Sequence, residues 1–171
     1  MDWASTASHP ICGKGGWAWR TRSEGIMLVW REAMSTGHSE IDKAQRQLIA
    51  HINEFETALR KSGPDVAMGL FLSGLYDQVA INFGREEQIQ RESSFPFLDA
   101  HHREHGNLLG RLASIQNHYQ SANHRADQGA LLRDLTALIR DWVSHHMVQS
   151  DVMLRRYLPH PSPPHQPRPR P

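Results

Sequence analysis

From Ser39 onward, apolar residues recur every three or four positions, the spacing of a helix with one buried face. The first such stripe is Ile41, Ala44, Leu48, Ile52, Phe55 and Leu59, with Ser39 placed to cap its start. Ser62-Gly63-Pro64 ends it, with a glycine where a helix closes and a proline where the next opens. A second helix is predicted from Pro64 to about Arg91, with Leu75, Val79, Asn82, Glu86 and Ile89 on one face, broken by Ser93-Ser94-Phe95-Pro96. The third has the cleanest period: Leu98, His101, His105, Leu108, Leu112, Ile115 and Tyr119. A polar loop over 121–129 leads to a fourth, with Leu132, Leu135, Ile139, Trp142, His146 and Met153 inward. No stretch alternates with period two, so no sheet is predicted. Four amphipathic helices on short connections read as an all-α, up-down-up-down four-helix bundle.

The ends of the chain read differently. Residues 1–26 are rich in Gly, Ser and Trp without a period, and are expected to be a disordered extension. The bundle is expected over 27–157, and Met27 opens the ordinary sequence as a candidate translation start. Residues 158–171, with seven prolines, predict a disordered tail of polyproline II character. The net charge of +1 conceals an acidic middle: residues 27–154 carry 12 Lys and Arg against 16 Asp and Glu. That balance argues against nucleic acid as the main partner. No run of about 18 apolar residues marks a membrane span. Cys12 is the single cysteine, which rules out an internal disulfide and fits a cytoplasmic location.

The stripes carry groups that a dry interior rejects. His101 and His105 are four residues apart, about 40° around a helix, so both face the core. Glu86 lies on the second stripe and His146 on the fourth, with Asp151 five residues further. On an α-helix His146 and Asp151 point about 140° apart, an awkward pairing unless the carboxylate approaches a shared point from another side. Buried carboxylates and unpaired imidazoles cost several kcal/mol unless compensated, and a metal ion compensates all of them together. Three imidazoles with carboxylates suit Fe(II), Mn(II) or Zn(II). Glu87, Glu104, His51, His118 and His124 read as solvated surface groups, and Phe83 and Trp142 as core packing.

Asn82-Phe83-Gly84-Arg85-Glu86-Glu87, His101-x3-His105 and Trp142-x3-His146-x4-Asp151 together resemble the hemerythrin family, in particular bacterial hemerythrin-like domains. Trp30…Gly37…Ile41-Asp42-Lys43-Ala44-Gln45 resembles that family's first segment. The likeness covers about residues 28–156 and implies an oxygen-binding di-iron bundle. In the family three histidines hold one iron, two hold the other, and a Glu and an Asp bridge them. Carried over, His101, His105 and His146 are the three-histidine set, and Glu86 and Asp151 the bridges. The two-histidine set falls on Gln45 and Asn82, so the resemblance implies one iron rather than two. His38, His51, His102 and His145 are not positioned to substitute. Polar Gln90, where the family has an apolar residue, argues against a dry dioxygen pocket. A simpler reading has Asn82 and Gln45 hydrogen-bonded to each other, an amide pair replacing the second metal.

Three functions follow from this pattern. The first is a hemerythrin-like iron-binding module in oxygen or iron sensing or handling. The second is a mononuclear non-haem iron enzyme with an open position near Glu86 and Asn82. The third is a metal-free bundle kept for protein interaction, its partner unidentified. Di-iron oxygen carriage remains as the family's own alternative. Dioxygen is therefore a candidate ligand beside the metal ion.

Overall fold

The structure is a computed structural model that describes residues 28–121 and 125–158. The expectations for residues 1–26, for Met27, Cys12 and His124, and for the tail beyond 158 lie outside the described residues. Five α-helices carry the chain: α1 (Ser39–Ser62), α2 (Pro64–Leu72), α3 (Leu75–Glu92), α4 (Leu98–Gln120) and α5 (Gln128–Asp141). A π-helical turn (Trp142–Ser150) and a 3-10 turn (Asp151–Arg156) continue α5. No strand occurs among the described residues.

The second predicted helix is two. Ser73-Gly74 interrupts it, and Gly74 adopts φ +69°, a left-handed conformation cheap for glycine alone. By length and composition the 29 residues Pro64–Glu92 could cross a membrane; here they form one arm of the bundle and carry Glu86 into its core. The arms alternate in direction. Glu86 meets His101, the Leu72 carbonyl meets Gln116 Nε2 at 2.9 Å, and the Asp65 carbonyl meets Tyr119 Oη at 2.9 Å, so α2–α3 runs opposite to α4. Glu104 with His146 and Arg111 with Asp141 set α4 against the last arm in the same way. This is the four-helix bundle that the apolar spacing predicts.

Packing at the far end from the polar cluster is ordinary. Ala67, Met68, Leu112, Leu131 and Leu135 are fully buried there, and truncating Met68 or any of these leucines to alanine would cost about 2–5 kcal/mol. Two predicted faces shift. On α1 the buried residues are Ile41, Asp42, Gln45, Ile49, Ile52 and Phe55, while Ala44 and Leu48 are half-buried. On the last arm Leu131, Leu135, Leu138 and Trp142 face inward and Leu154 replaces Met153, which is 42% exposed. The helix start also moves by one residue, with His38 rather than Ser39 at the N-cap.

One further cluster closes the end of the bundle that holds the polar groups. Buried Asp42 accepts from Ser35 Oγ at 2.5 Å, Thr36 N at 2.7 Å and Thr36 Oγ1 at 2.8 Å. Arg155 then donates to the Glu32 and Ser35 carbonyls, tying the last turn to the segment before α1.

Candidate metal centre

The ligand-type side chains arrive from three arms of the bundle, and the structure gathers the five predicted residues into two overlapping groups that share His101. Glu86 comes from α3, His101 and His105 from α4, His146 from the π turn and Asp151 from its end. All five are buried. The imidazole nitrogens of His101, His105 and His146 lie within 4.8 Å of one another, and so do the ligand atoms of Glu86, His101 and Asp151. His101 Nε2 is 2.9 Å from Glu86 Oε1 and 3.2 Å from Asp151 Oδ1, and His146 Nε2 is 3.2 Å from the same Asp151 oxygen.

The π turn resolves the awkward spacing of His146 and Asp151. The Asp151 N–H donates to the His146 carbonyl, five residues back, instead of to residue 147. Bonding across five residues widens the helix and brings the fifth residue onto the face of the first. An α-helical turn here would swing the carboxylate off the cluster. The local geometry is therefore a requirement of the site, and π turns recur at functional positions for this reason.

Outer partners fix the rings. His105 Nδ1 donates to Glu87 Oε1 at 2.8 Å, and His146 Nδ1 donates to Glu104 Oε2 at 3.2 Å. With Nδ1 protonated, both Nε2 lone pairs face the cluster, the tautomer a metal needs. Phe83 stacks on His105 at 3.7 Å and 7°, holding the plane of that ring. Glu87 and Glu104 are thus not the solvated groups expected from their sequence positions. Their only sequence signal is adjacency, Glu87 to Glu86 and Glu104 to His105. His51 is also more than a surface group: its Nε2 lies 3.2 Å from the Phe71 carbonyl. His118 is at the surface beside Asp127.

The residues fit a cation. His105 Nε2 and His146 Nε2 are buried and have no hydrogen-bond partner, although both converge with the His101 imidazole. Orphaned acceptors of this kind are rare in native proteins, because each loses its bond to water without replacement. The electrostatics agree. Burial, reinforced by Asp151, raises the Glu86 carboxyl above its ordinary range. Burial opposes charge on His101, but Asp151 and Glu86 outweigh it and push the imidazole up to about 10. Burial beside His146 and His101 drives His105 far below the usual histidine range, so it stays neutral. The bond from His146 holds Glu104 down at about 2.

Two outcomes follow. A metal must displace the His101 proton, and the proton affinities of His146 and Glu86 are raised beside it, so loading at pH 7 should release at least one proton per ion and affinity should rise from pH 7 to 9. Calorimetry in buffers of different ionisation enthalpy measures this, and an affinity flat from pH 7 to 9 would contradict it. Glu87→Gln and Glu104→Gln should each weaken metal binding about 10–100-fold while leaving the ligands in place. Competition against a chelator of known affinity reads that loss.

Asn82 and Gln45 do not pair. Gln45 Nε2 instead donates to Asp151 Oδ2 at 2.6 Å, and Gln90 Nε2 donates to Glu86 Oε1 at 2.9 Å. Asn82 is half-buried and joins neither. Gln90 is fully buried, and its bond to Glu86 becomes visible only in three dimensions.

A helical bundle whose interior gathers three histidines and two carboxylates is a metal-binding domain. The hemerythrin HHE cation binding domain matches residues 36–157, and the chain belongs to that family. It is 26% identical over 125 residues to the bacteriohemerythrin of Stenotrophomonas maltophilia (strain R551-3), covering 73% of this chain and 77% of that protein. It is 24% identical over 126 residues to the bacteriohemerythrin of Methylococcus capsulatus (strain ATCC 33009 / NCIMB 11132 / Bath), covering 73% and 92%. The bacteriohemerythrin of Pseudomonas aeruginosa (strain LESB58) is 23% identical over 124 residues, covering 72% and 76%. No solved structure matches the chain significantly.

Proposed function

We propose that the chain is a hemerythrin-type iron protein that holds a single iron and serves in sensing or handling oxygen or iron in the cytoplasm. His101, His105 and His146 would hold the ion with Glu86 and Asp151. Bound iron would supply affinity for dioxygen and one-electron chemistry. Glu87 and Glu104 keep the imidazole lone pairs directed inward, and Phe83 fixes the ring of His105.

The observation that carries the single-ion reading is the pair of hydrogen bonds that the Gln45 and Gln90 amides donate to the carboxylates. Asp151 presents Oδ1 to the histidines and gives Oδ2 to Gln45; Glu86 accepts from both His101 and Gln90. A second cation beside Oδ2 would meet an N–H donor, which repels it. The amide oxygens of Gln45 and Gln90 are weak, neutral donors that do not replace imidazole for iron.

Counting metal in protein loaded anaerobically with Fe(II) tests this. About one ion per chain is expected; two would overturn the single-ion reading, and none would favour a metal-free interaction bundle. Gln45→His with Asn82→His, combined with Gln90→Leu to free Glu86, should then accept a second ion.

A further inference from the structure

A closed circuit of hydrogen bonds joins the segment before α1 to the last turn of the final arm, and it passes through Asp151. Asp42 on α1 is buried, and its carboxylate accepts from the Ser35 and Thr36 hydroxyls and from the Thr36 N–H. Those two hydroxyls accept in turn from the N–H groups of Gly37 and His38, at 3.0 and 3.1 Å, which fixes the backbone of this short segment. The Ser35 carbonyl is thereby held in place, and Arg155 Nη2 donates to it and to the Glu32 carbonyl. Arg155 belongs to the 3-10 turn that Asp151 opens. Asp151 Oδ2 accepts from Gln45 Nε2, and Gln45 is also buried on α1, three residues after Asp42. The circuit leaves α1 at Asp42 and returns to it at Gln45.

The backbone between these anchors needs support from outside. The π stretch spans 9 residues and the 3-10 stretch 6, both longer than their poorer hydrogen-bond geometry usually sustains. Leu154, fully buried with Ile41 and Phe95, holds one side of the 3-10 turn. Three residues make one revolution there, so Leu154 lies below Asp151, and Arg155 points about 120° away from both. A contact on one side lets the turn roll about it; a second hold a third of a revolution away does not. We infer that Asp42, Ser35 and Arg155 are positioning residues for the metal centre: through them the first segment sets the rotation of the last turn, and with it the aim of the Asp151 carboxylate at His101 and His146. The inference rests on Asp151 as a metal ligand and is independent of the number of ions.

Arg155→Met keeps the stem of the side chain and removes its donors. In competition of the full chain against a chelator for Fe(II), without oxygen, it should weaken metal binding at least about tenfold, as loss of a ligand's orienting partner does. Arg155→Lys, which still carries a donor, should recover part of that loss. Asp42→Asn, which swaps one acceptor for a donor, should add little to Arg155→Met, because both changes open the same circuit. Leu135→Ala, in the core at the far end, is the control: it should lose stability in urea and keep the parent affinity. In metal-free protein the Asp151 amide should exchange with deuterium faster in Arg155→Met, and the Leu112 amide should not. Parent affinity in Arg155→Met, an equal loss in Leu135→Ala, or an unchanged Asp151 amide overturns the inference. A parent chain that takes up no ion, with the Asp151 amide still quickened in Arg155→Met, overturns the metal reading and supports the hold on the turn.

Discussion

His105→Ala should strip the metal from the protein. The substitution removes an inward nitrogen that no other group in the cluster can replace, because His102 is exposed and bonded to Glu87. Loss of an outer partner alone costs about 10–100-fold in affinity, so loss of the ligand itself should exceed about a hundredfold. The metal-free fold should survive with about 1–3 kcal/mol less stability, since the imidazole leaves a space against Phe83. Element analysis after gel filtration and a urea melt in chelator separate the two effects. His118→Ala, at the surface of the same helix, is the control and should behave as the unaltered chain. Wild-type retention of metal in His105→Ala would place the ion elsewhere.

Gln45→Met with Gln90→Met should destabilise the metal-free protein more than the loaded one. Methionine keeps the length and bulk of each side chain and removes only the amide. Without a cation, Asp151 Oδ2 and Glu86 lose their N–H donors in a buried setting, at about 1–3 kcal/mol each. With an ion bound, its charge supports the carboxylates, so the gain in stability on loading should be larger than in the parent chain. Paired urea melts with and without metal measure this. Equal losses in both states would mean that the amides serve packing alone.

Much of the fold was legible because burial follows a simple arithmetic. Leu108, Leu112 and Ile115 sit on the predicted face of α4 and are buried on it. The five polar groups were visible by contrast with those stripes: His101, His105 and Glu86 interrupt apolar periods, and a polar residue on a core face stands out. Glu87 and Glu104 were hidden because each lies one residue off a stripe, where a carboxylate is ordinarily wet. Gln90 could be read as polar but not as a partner of Glu86, since a hydrogen bond within a helix leaves no spacing signature distinct from packing. The break at Ser73-Gly74 was marked by its glycine yet masked by the apolar period that continues on both sides. The last arm misled most, because its arithmetic is not α-helical where the ligands are.

That arm has a consequence for comparing sequences. The wide turn at Trp142–Ser150 and the tight one at Asp151–Arg156 are a deficit followed by a surplus of rotation per residue, and they offset each other. Trp142, His146, Ser150 and Leu154 therefore stay inward at even intervals of four. A relative shortened by one residue in this stretch could preserve every hydrophobic contact of its core and still lose the carboxylate from the cluster. Its hydropathy profile would look intact. In such chains the count of residues between the last histidine and the aspartate, rather than the presence of either, separates a bundle that can hold an ion from one that only shares its shape.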